Sequence, residues 1–391
     1  LSKKRKDFNK IRIRNYLRKK NDGEEAWMRL QGLVYGKYMN CATMMPGLAN
    51  FLLCCKVRNY RVFIVSHKTE FGHFDPEKFS LRAEAVKWME SKIFFDASHF
   101  GLNKENIYFA NSRKEKVKII NQLNCDWFID DLPEVFDEVD FSKTTKKILF
   151  GVNDDKNFKD RIVLNSWRGI IDEIIGKITI DDISYWVKSI VDYPIQNIKK
   201  IPGQGNSAVY KISFSNRKSL ALKYYPDTIL DNRPRIETEF RAFQMLNNNG
   251  INNIPKSINR DMDLNIGLYD WIDGQKISIP LDNDLVQAIA FIKKLDFLSK
   301  KVDYKNWGIA SEACFSAKEL ISQVENRILK LQLISMPFPN LKRFLKDEFV
   351  PLWNQLLDER IALWPEESRV HNLPNDKQIL SPSDFGFHNC I

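Results

Sequence analysis

Asp384 and Asn389 stand five positions apart in Ser381-Pro-Ser-Asp384-Phe-Gly-Phe-His-Asn389. An aspartate can accept the proton of an attacking hydroxyl, and an asparagine amide oxygen at that offset can coordinate Mg2+. Lys223 lies earlier, in the apolar run Leu220-Ala-Leu-Lys-Tyr224. A lysine so placed either snorkels to solvent or reaches a phosphate. Glu239 falls on the helix expected next, where it is either the carboxylate that holds Lys223 or an exposed helical acid. Gly203-Gln-Gly205-Asn206-Ser207 separates two strand-like runs. Glycines there let backbone N–H groups approach phosphate oxygens, and the same residues also make an ordinary hairpin turn.

A second grouping lies in the N-terminal half. Ser66 ends the run Val62-Phe-Ile-Val65, Lys116 falls in a helical stretch, and Asp130-Asp131 closes the run Trp127-Phe-Ile. Side chains at the C-terminal ends of parallel strands face the usual ligand crevice of an open α/β sheet. Paired acids hold Mg2+, while a lysine and a hydroxyl neutralise phosphate oxygens. Taken singly, a serine after a strand is a common turn residue, and Asp-Asp a common helix cap.

The elements that position these residues follow from apolar periodicity. Helices are expected between about 15 and 53, then strands at 61–66, 107–110, 127–130 and 148–150, with helices at 81–91 and 113–123. Strands alternating with helices imply a parallel sheet covered on both faces. Helices at 166–175 and 181–190 bridge to a strand meander at 197–201, 208–213 and 219–224. A helix at 235–247 and a strand at 266–271 follow, then mostly helix from 281 to 363 and a short strand at 378–380.

Composition narrows the classes. The 391 residues suit two domains, and 43% hydrophobic with 28% charged residues is a soluble globular balance. Much of the net charge of +10 is concentrated in residues 3–20. Ile11, Ile13, Tyr16 and Leu17 are interleaved there at helical spacing, so a solvated helix face accounts for the charge. No nucleic-acid signature accompanies it, and no nucleic-acid partner is expected. The six cysteines form no CxxC pair, which fits a reducing, cytoplasmic compartment. The five histidines are not at zinc-ligand spacing, no apolar run is long enough to span a bilayer, and no signal peptide is visible.

From about residue 201 onward the chain resembles the aminoglycoside phosphotransferase and choline kinase-like superfamily. Glu239-Phe-Arg-Ala242-Phe-Gln-Met-Leu246 is similar to that family's ExxAxxxL helix, and Leu268-Tyr-Asp-Trp-Ile272-Asp-Gly274 to its hinge. The resemblance implies ATP and Mg2+ as cofactors, with backbone groups around Tyr269, Trp271 and Ile272 binding adenine. Gly203, Gly205, Asn206 and Ser207 would line the phosphates, Lys223 would clamp them, and Glu239 would hold Lys223. Asp384 would be the base and Asn389 a metal ligand. Asp384-Phe385-Gly386 also spells the DFG motif, but no HxDxxxxN pattern precedes it, so the catalytic-loop reading stands. Ser-Pro-Ser replaces the family's usual loop histidine, and the family's second metal aspartate is not found after Asn389.

Residues 20–150 resemble the haloacid dehalogenase-like (HAD) phosphatases. Ser66 matches motif II, Lys116 motif III, and Asp130-Asp131 motif IV; Lys114 competes for motif III, but the offset from Lys116 to Asp130 fits better. The helical stretch before Pro46 would be the cap. Motif I, a DxD with the nucleophile, is not supplied by residues 1–40, where Asp7 and Asp22 lie in a basic run and a turn. Together with the opening Leu1, this leads to the expectation of a longer parent chain. The implied organisation is a Rossmann-like α/β HAD domain with a helical cap at 1–155, a helical linker at 156–195, and an α+β protein-kinase-like domain at 196–391. The implied activity is γ-phosphoryl transfer to a small-molecule hydroxyl. The fusion resembles proteins found with bacterial surface-polysaccharide genes, which admits a sugar or polyol as acceptor. Phosphomonoester hydrolysis by the HAD half, and non-catalytic binding of a nucleotide or phosphorylated sugar, remain alternatives; oligomeric state is not readable.

Overall fold

A computed structural model describes residues 10–74, 77–151, 158–203, 207–226, 233–301, 307–310, 313–361, 363–365, 369, 371–382 and 385–391. The chain divides into two compact units, Leu1–Gln244 with Pro255–Trp271, and Met245–Ile254 with Ile272–Ile391. The division at Trp271/Ile272 falls inside the segment expected to be kinase-like.

The first unit opens with helices α1 (Lys10–Arg18), α2 (Gly23–Tyr35) and α3 (Leu48–Val57). Residues from Ala49 to Cys55 in α3 are all buried, which marks it as a core helix rather than a surface one. An alternation of strands and helices follows: β1 (Ile64–His67), α4 (Leu81–Ser91), β2 (Ile107–Ala110), α5 (Arg113–Leu123), β3 (Trp127–Asp130), α6 (Pro133–Phe136), β4 (Lys146–Phe150) and β5 (Ile162–Leu164). Ser80 and Ser112 start α4 and α5 by accepting from the Ala83 and Glu115 N–H groups. All these strand pairs are parallel, as the alternation implies. The ladder is in two pieces, β1-β2 and β3-β4-β5.

Helix α7 (Trp167–Ile170) runs on through a π-turn at Ile171–Ile175 and is followed by α8 (Ile180–Lys188). Thr179 and Asp182 form a capping box at the start of α8. Arg58, the residue that follows α3, grips the fully buried Asp182 with both guanidinium branches, one of them at 2.9 Å.

Five antiparallel strands complete the unit in the order β6-β7-β8-β10-β9: β6 (Ile195–Ile201), β7 (Ala208–Phe214), β8 (Leu220–Tyr224), β9 (Ser257–Asp261) and β10 (Ile266–Asp270). Helix α9 (Arg235–Asn248) intervenes between β8 and β9. Ile212, Leu220, Leu222, Ile266 and Leu268 share one core with Ile183 and Trp186 of α8 and with Leu52 and Leu53 of α3. The helices expected between the halves are therefore part of the core. Asn50 fastens the same face, its amide donating to the Leu264 carbonyl at 3.0 Å.

The second unit is mostly helical, as expected: α10 (Asp282–Ser299), α11 (Ala317–Ile334), α12 (Pro339–Phe344) and α13 (Val350–Ile361). Its core gathers Leu246, Ile251, Leu295 and Leu298, with Phe291 and Leu380 packed against them. Residues 378–380 form no strand, contrary to expectation. The Leu380 N–H donates to the Ser299 hydroxyl at 2.8 Å, so a side chain takes the place of a ladder. Among the described residues, no helix is long and apolar enough to cross a membrane.

Candidate functional site

In β8 the alternation of side chains sends Leu220 and Leu222 into the core and turns Ala221 and Lys223 to the opposite face. Helix α9 lies against that face through Phe240 and Phe243, whose rings sit 6.0 and 5.5 Å from that of Tyr269 in β10. One residue before Phe240, Glu239 accepts from Lys223 Nζ at 2.6 Å. The two side chains keep 28% and 27% of their exposure, so water still reaches the pair. The Lys223 ammonium also lies 5.1 Å from the Tyr225 ring, a cation–π distance. Tyr225 was not singled out from sequence. Its position two residues after Lys223, just past the end of β8, was the available signal.

Strand register places the glycine-bearing loop. Ile201, Val209, Lys223 and Gly267 form one cross-strand row. Residues 202–207 join Ile201 to β7, so the loop closes the hairpin at the end of the sheet where Lys223 lies, one strand away. Gly203 has nothing within 4 Å of an added Cβ. Ser207 is half-buried, and Gly205 and Asn206 lie outside the described residues.

The expected hinge is partly engaged in the sheet. Tyr269 is buried, the Trp271 N–H donates to the Ser219 carbonyl at 3.2 Å, and the Trp271 ring carries Lys211 Nζ at 4.6 Å. Ile272 belongs to the second unit. Asn389 is also in that unit, exposed, in a short 3-10 turn Phe387–Asn389 whose N–H donates to the Gly386 carbonyl at 2.9 Å. Asp384 lies outside the described residues. Its neighbour Phe385 stacks on Phe291 at 5.5 Å.

In the parallel-strand half, Lys116 and Asp130 are brought into direct contact, both buried. The second Asp130 oxygen accepts from the Leu132 N–H at 3.0 Å. Ser66 stands at the C-terminal end of β1, in the other piece of the ladder, and among the described residues its hydroxyl bonds to neither. Asp131 is exposed. No group of three or more His, Cys, Asp or Glu side chains among the described residues is disposed to hold a metal. Mg2+ commonly takes only one or two carboxylates together with phosphate oxygens. Asp131 suits that role better than Asp130, whose oxygens are both engaged.

No protein-family model matches this chain, and no curated protein matches it. Among solved structures, the crystal structure of choline kinase LicA from Streptococcus pneumoniae aligns at 16% identity and a TM-score of 0.26, over 50% of this chain and 67% of that one. A likeness at that TM-score establishes neither a fold nor a reaction.

Proposed function

We propose that the segment from about residue 196 onward is an ATP-dependent phosphotransferase acting on a small-molecule hydroxyl. The observation that carries this reading is the Lys223–Glu239 pair, 2.6 Å long and open to solvent, one strand away from the loop at 202–207. A carboxylate-held ammonium of this kind can receive ATP phosphate oxygens without having to be ordered at the moment of binding. In this reading the N–H groups around Gly203, Gly205, Asn206 and Ser207 cover the phosphates. Adenine lies along the segment from Tyr269 to Ile272; with the Trp271 N–H engaged by Ser219, Ile272 supplies the donor. Asp384 accepts the proton of the acceptor hydroxyl. Mg2+ enters with the nucleotide and neutralises phosphate charge, with the Asn389 amide oxygen as its ligand on the protein. A sugar or polyol is the acceptor class to try first, alongside aminoglycosides and choline-like alcohols. Asp384→Ala is expected to abolish ATP-dependent phosphorylation and leave nucleotide binding largely intact. Unchanged turnover in that variant would sink the assignment.

A second reading concerns the parallel-strand half. The exposed Asp131 just after β3, next to a strand end fixed by the Lys116–Asp130 contact, favours a HAD-like phosphomonoester site there. Asp131→Asn should then weaken Mg2+ binding in calorimetry, and equal affinity would count against it. A purely binding role for either half predicts ligand affinity with no transfer or hydrolysis.

A further inference from the structure

Gly267 faces Lys223 directly across the β8–β10 ladder. An added Cβ at Gly267 would lie 2.7 Å from the Tyr269 hydroxyl and 2.8 Å from its ring carbon Cε2. The phenol of Tyr269 is therefore folded back along its own strand, into the notch left by the missing side chain, and reaches the row that holds Lys223. An isolated glycine inside a strand often marks such a close approach. At the end of this path the Tyr269 hydroxyl meets that of Tyr225 at 2.6 Å, with both tyrosines 3% exposed. Tyr225 is two residues beyond Lys223 on the same face, and its ring carries the Lys223 ammonium.

The backbone of Tyr225 is pinned independently. Its N–H donates to the Asn265 carbonyl at 3.0 Å, and its carbonyl accepts from the Asn265 amide at 3.2 Å. Burial raises both phenols well above their ordinary range, and the Glu239 carboxylate adds to the rise in each. Both hydroxyls thus stay protonated at any ordinary pH, and both lie within the electrostatic reach of Glu239. A buried hydroxyl needs a partner, and these two supply one another.

We infer that Tyr225 and Tyr269, seated by the notch at Gly267, are positioning residues: Tyr269 fixes Tyr225, and the Tyr225 ring holds the Lys223 ammonium beside Glu239. This rests on reading Lys223 as a phosphate-binding group. Neither tyrosine touches the reacting atoms. Their effect is to hold the ammonium in one place before nucleotide arrives.

The test uses the full chain and two readouts. Binding of a non-hydrolysable ATP analogue is followed by calorimetry, and the Lys223 ammonium by its side-chain 15N resonance. Tyr269→Phe keeps the ring in the notch and removes only the hydroxyl. It is expected to weaken analogue binding about fivefold, the worth of one hydrogen bond, and to broaden the Lys223 resonance through faster solvent exchange. Gly267→Ala, which expels the phenol, should do the same. Combined with Glu239→Gln, Tyr269→Phe should add almost nothing, because both act through one ammonium. An unchanged resonance and affinity in Tyr269→Phe, or full additivity with Glu239→Gln, would overturn the inference. If the unaltered protein binds no analogue, the nucleotide reading fails. The Lys223 resonance in Tyr269→Phe then decides the positioning role by itself.

Discussion

Among the lysine–carboxylate pairs of the first unit, Lys116–Asp130 and Lys223–Glu239 are set apart by how far water reaches them. Lys116 and Asp130 retain 8% and 4% of their side-chain exposure, whereas Lys223 and Glu239 retain 28% and 27%. The closed pair is walled in. Lys116 Nζ lies 5.5 Å from the Phe128 ring, and Asp130 is further held by the Leu132 N–H. Two ions removed from water depend on each other, and neither can turn to a ligand without stranding its partner. The open pair is under no such constraint. Its ammonium can trade part of its contact with Glu239 for a phosphate oxygen while water covers the difference. The same two functional groups therefore make a fold element in one place and a site in the other.

The largest effect expected from this contrast is on stability. Asp130→Asn leaves the Lys116 ammonium buried without a counter-charge, which costs about 3–5 kcal/mol. Urea denaturation should show the midpoint falling at an unchanged slope. A loss under about 1 kcal/mol would mean that water reaches Lys116 and that the pair is not closed. The double replacement Lys116→Met with Asp130→Leu sharpens the point. Apolar side chains of similar size should recover most of the stability, because the desolvation cost disappears with the charges.

A third carboxylate extends the comparison to pH. Burial works to raise the Asp182 carboxyl, but hydrogen bonds from Arg58 and Thr179 outweigh it and hold the group below its ordinary range. A depressed folded pKa contributes stability that is fully present above the unfolded value of about 3.9 and is lost as pH falls below it. Acid titration of stability should therefore steepen below about pH 4. Asp182→Asn should flatten that limb while lowering stability at neutral pH. An unchanged acid limb would remove Asp182 from the account.

Much of this arrangement was legible in the sequence where one segment carries its own signal. Strand Ile107–Ala110, helix Arg113–Leu123 and strand Trp127–Asp130 coincide with the expected bounds, because the apolar period changes abruptly and Ser112 caps the helix. Lys223 and Glu239 were readable for the same reason, since alternation in β8 turns the lysine away from the core. Strand β9, Ser257–Asp261, was missed: Ile258 is its lone apolar residue, and it exists because β10 supplies the ladder. Strand β5 was missed for a similar reason, its three residues being ordered by β4. The role of Gly267 was hidden more deeply. It depends on a register between strands separated by a helix and a further strand, which no single segment encodes. The short strand expected at 378–380 failed because apolar residues were present but no neighbouring strand was.

The smallest expected change in stability belongs to the open pair. Lys223→Met keeps the length of the side chain and its packing along the sheet but removes the ammonium. A partly exposed ion pair contributes up to about 1 kcal/mol, so Tm should fall by only a few degrees. Glu239 is not stranded by the change, because water already reaches it. Binding should respond much more strongly. A hydrogen bond from a charged donor is worth about 1.5–3 kcal/mol, so affinity for a non-hydrolysable ATP analogue should drop about tenfold or more. Thermal unfolding and calorimetry on the same variant therefore measure both sides of the contrast. If Lys223→Met instead cost several kcal/mol and left analogue affinity unchanged, Lys223 would behave as Lys116 does. Exposure would then no longer distinguish a ligand-binding lysine from a structural one in this chain.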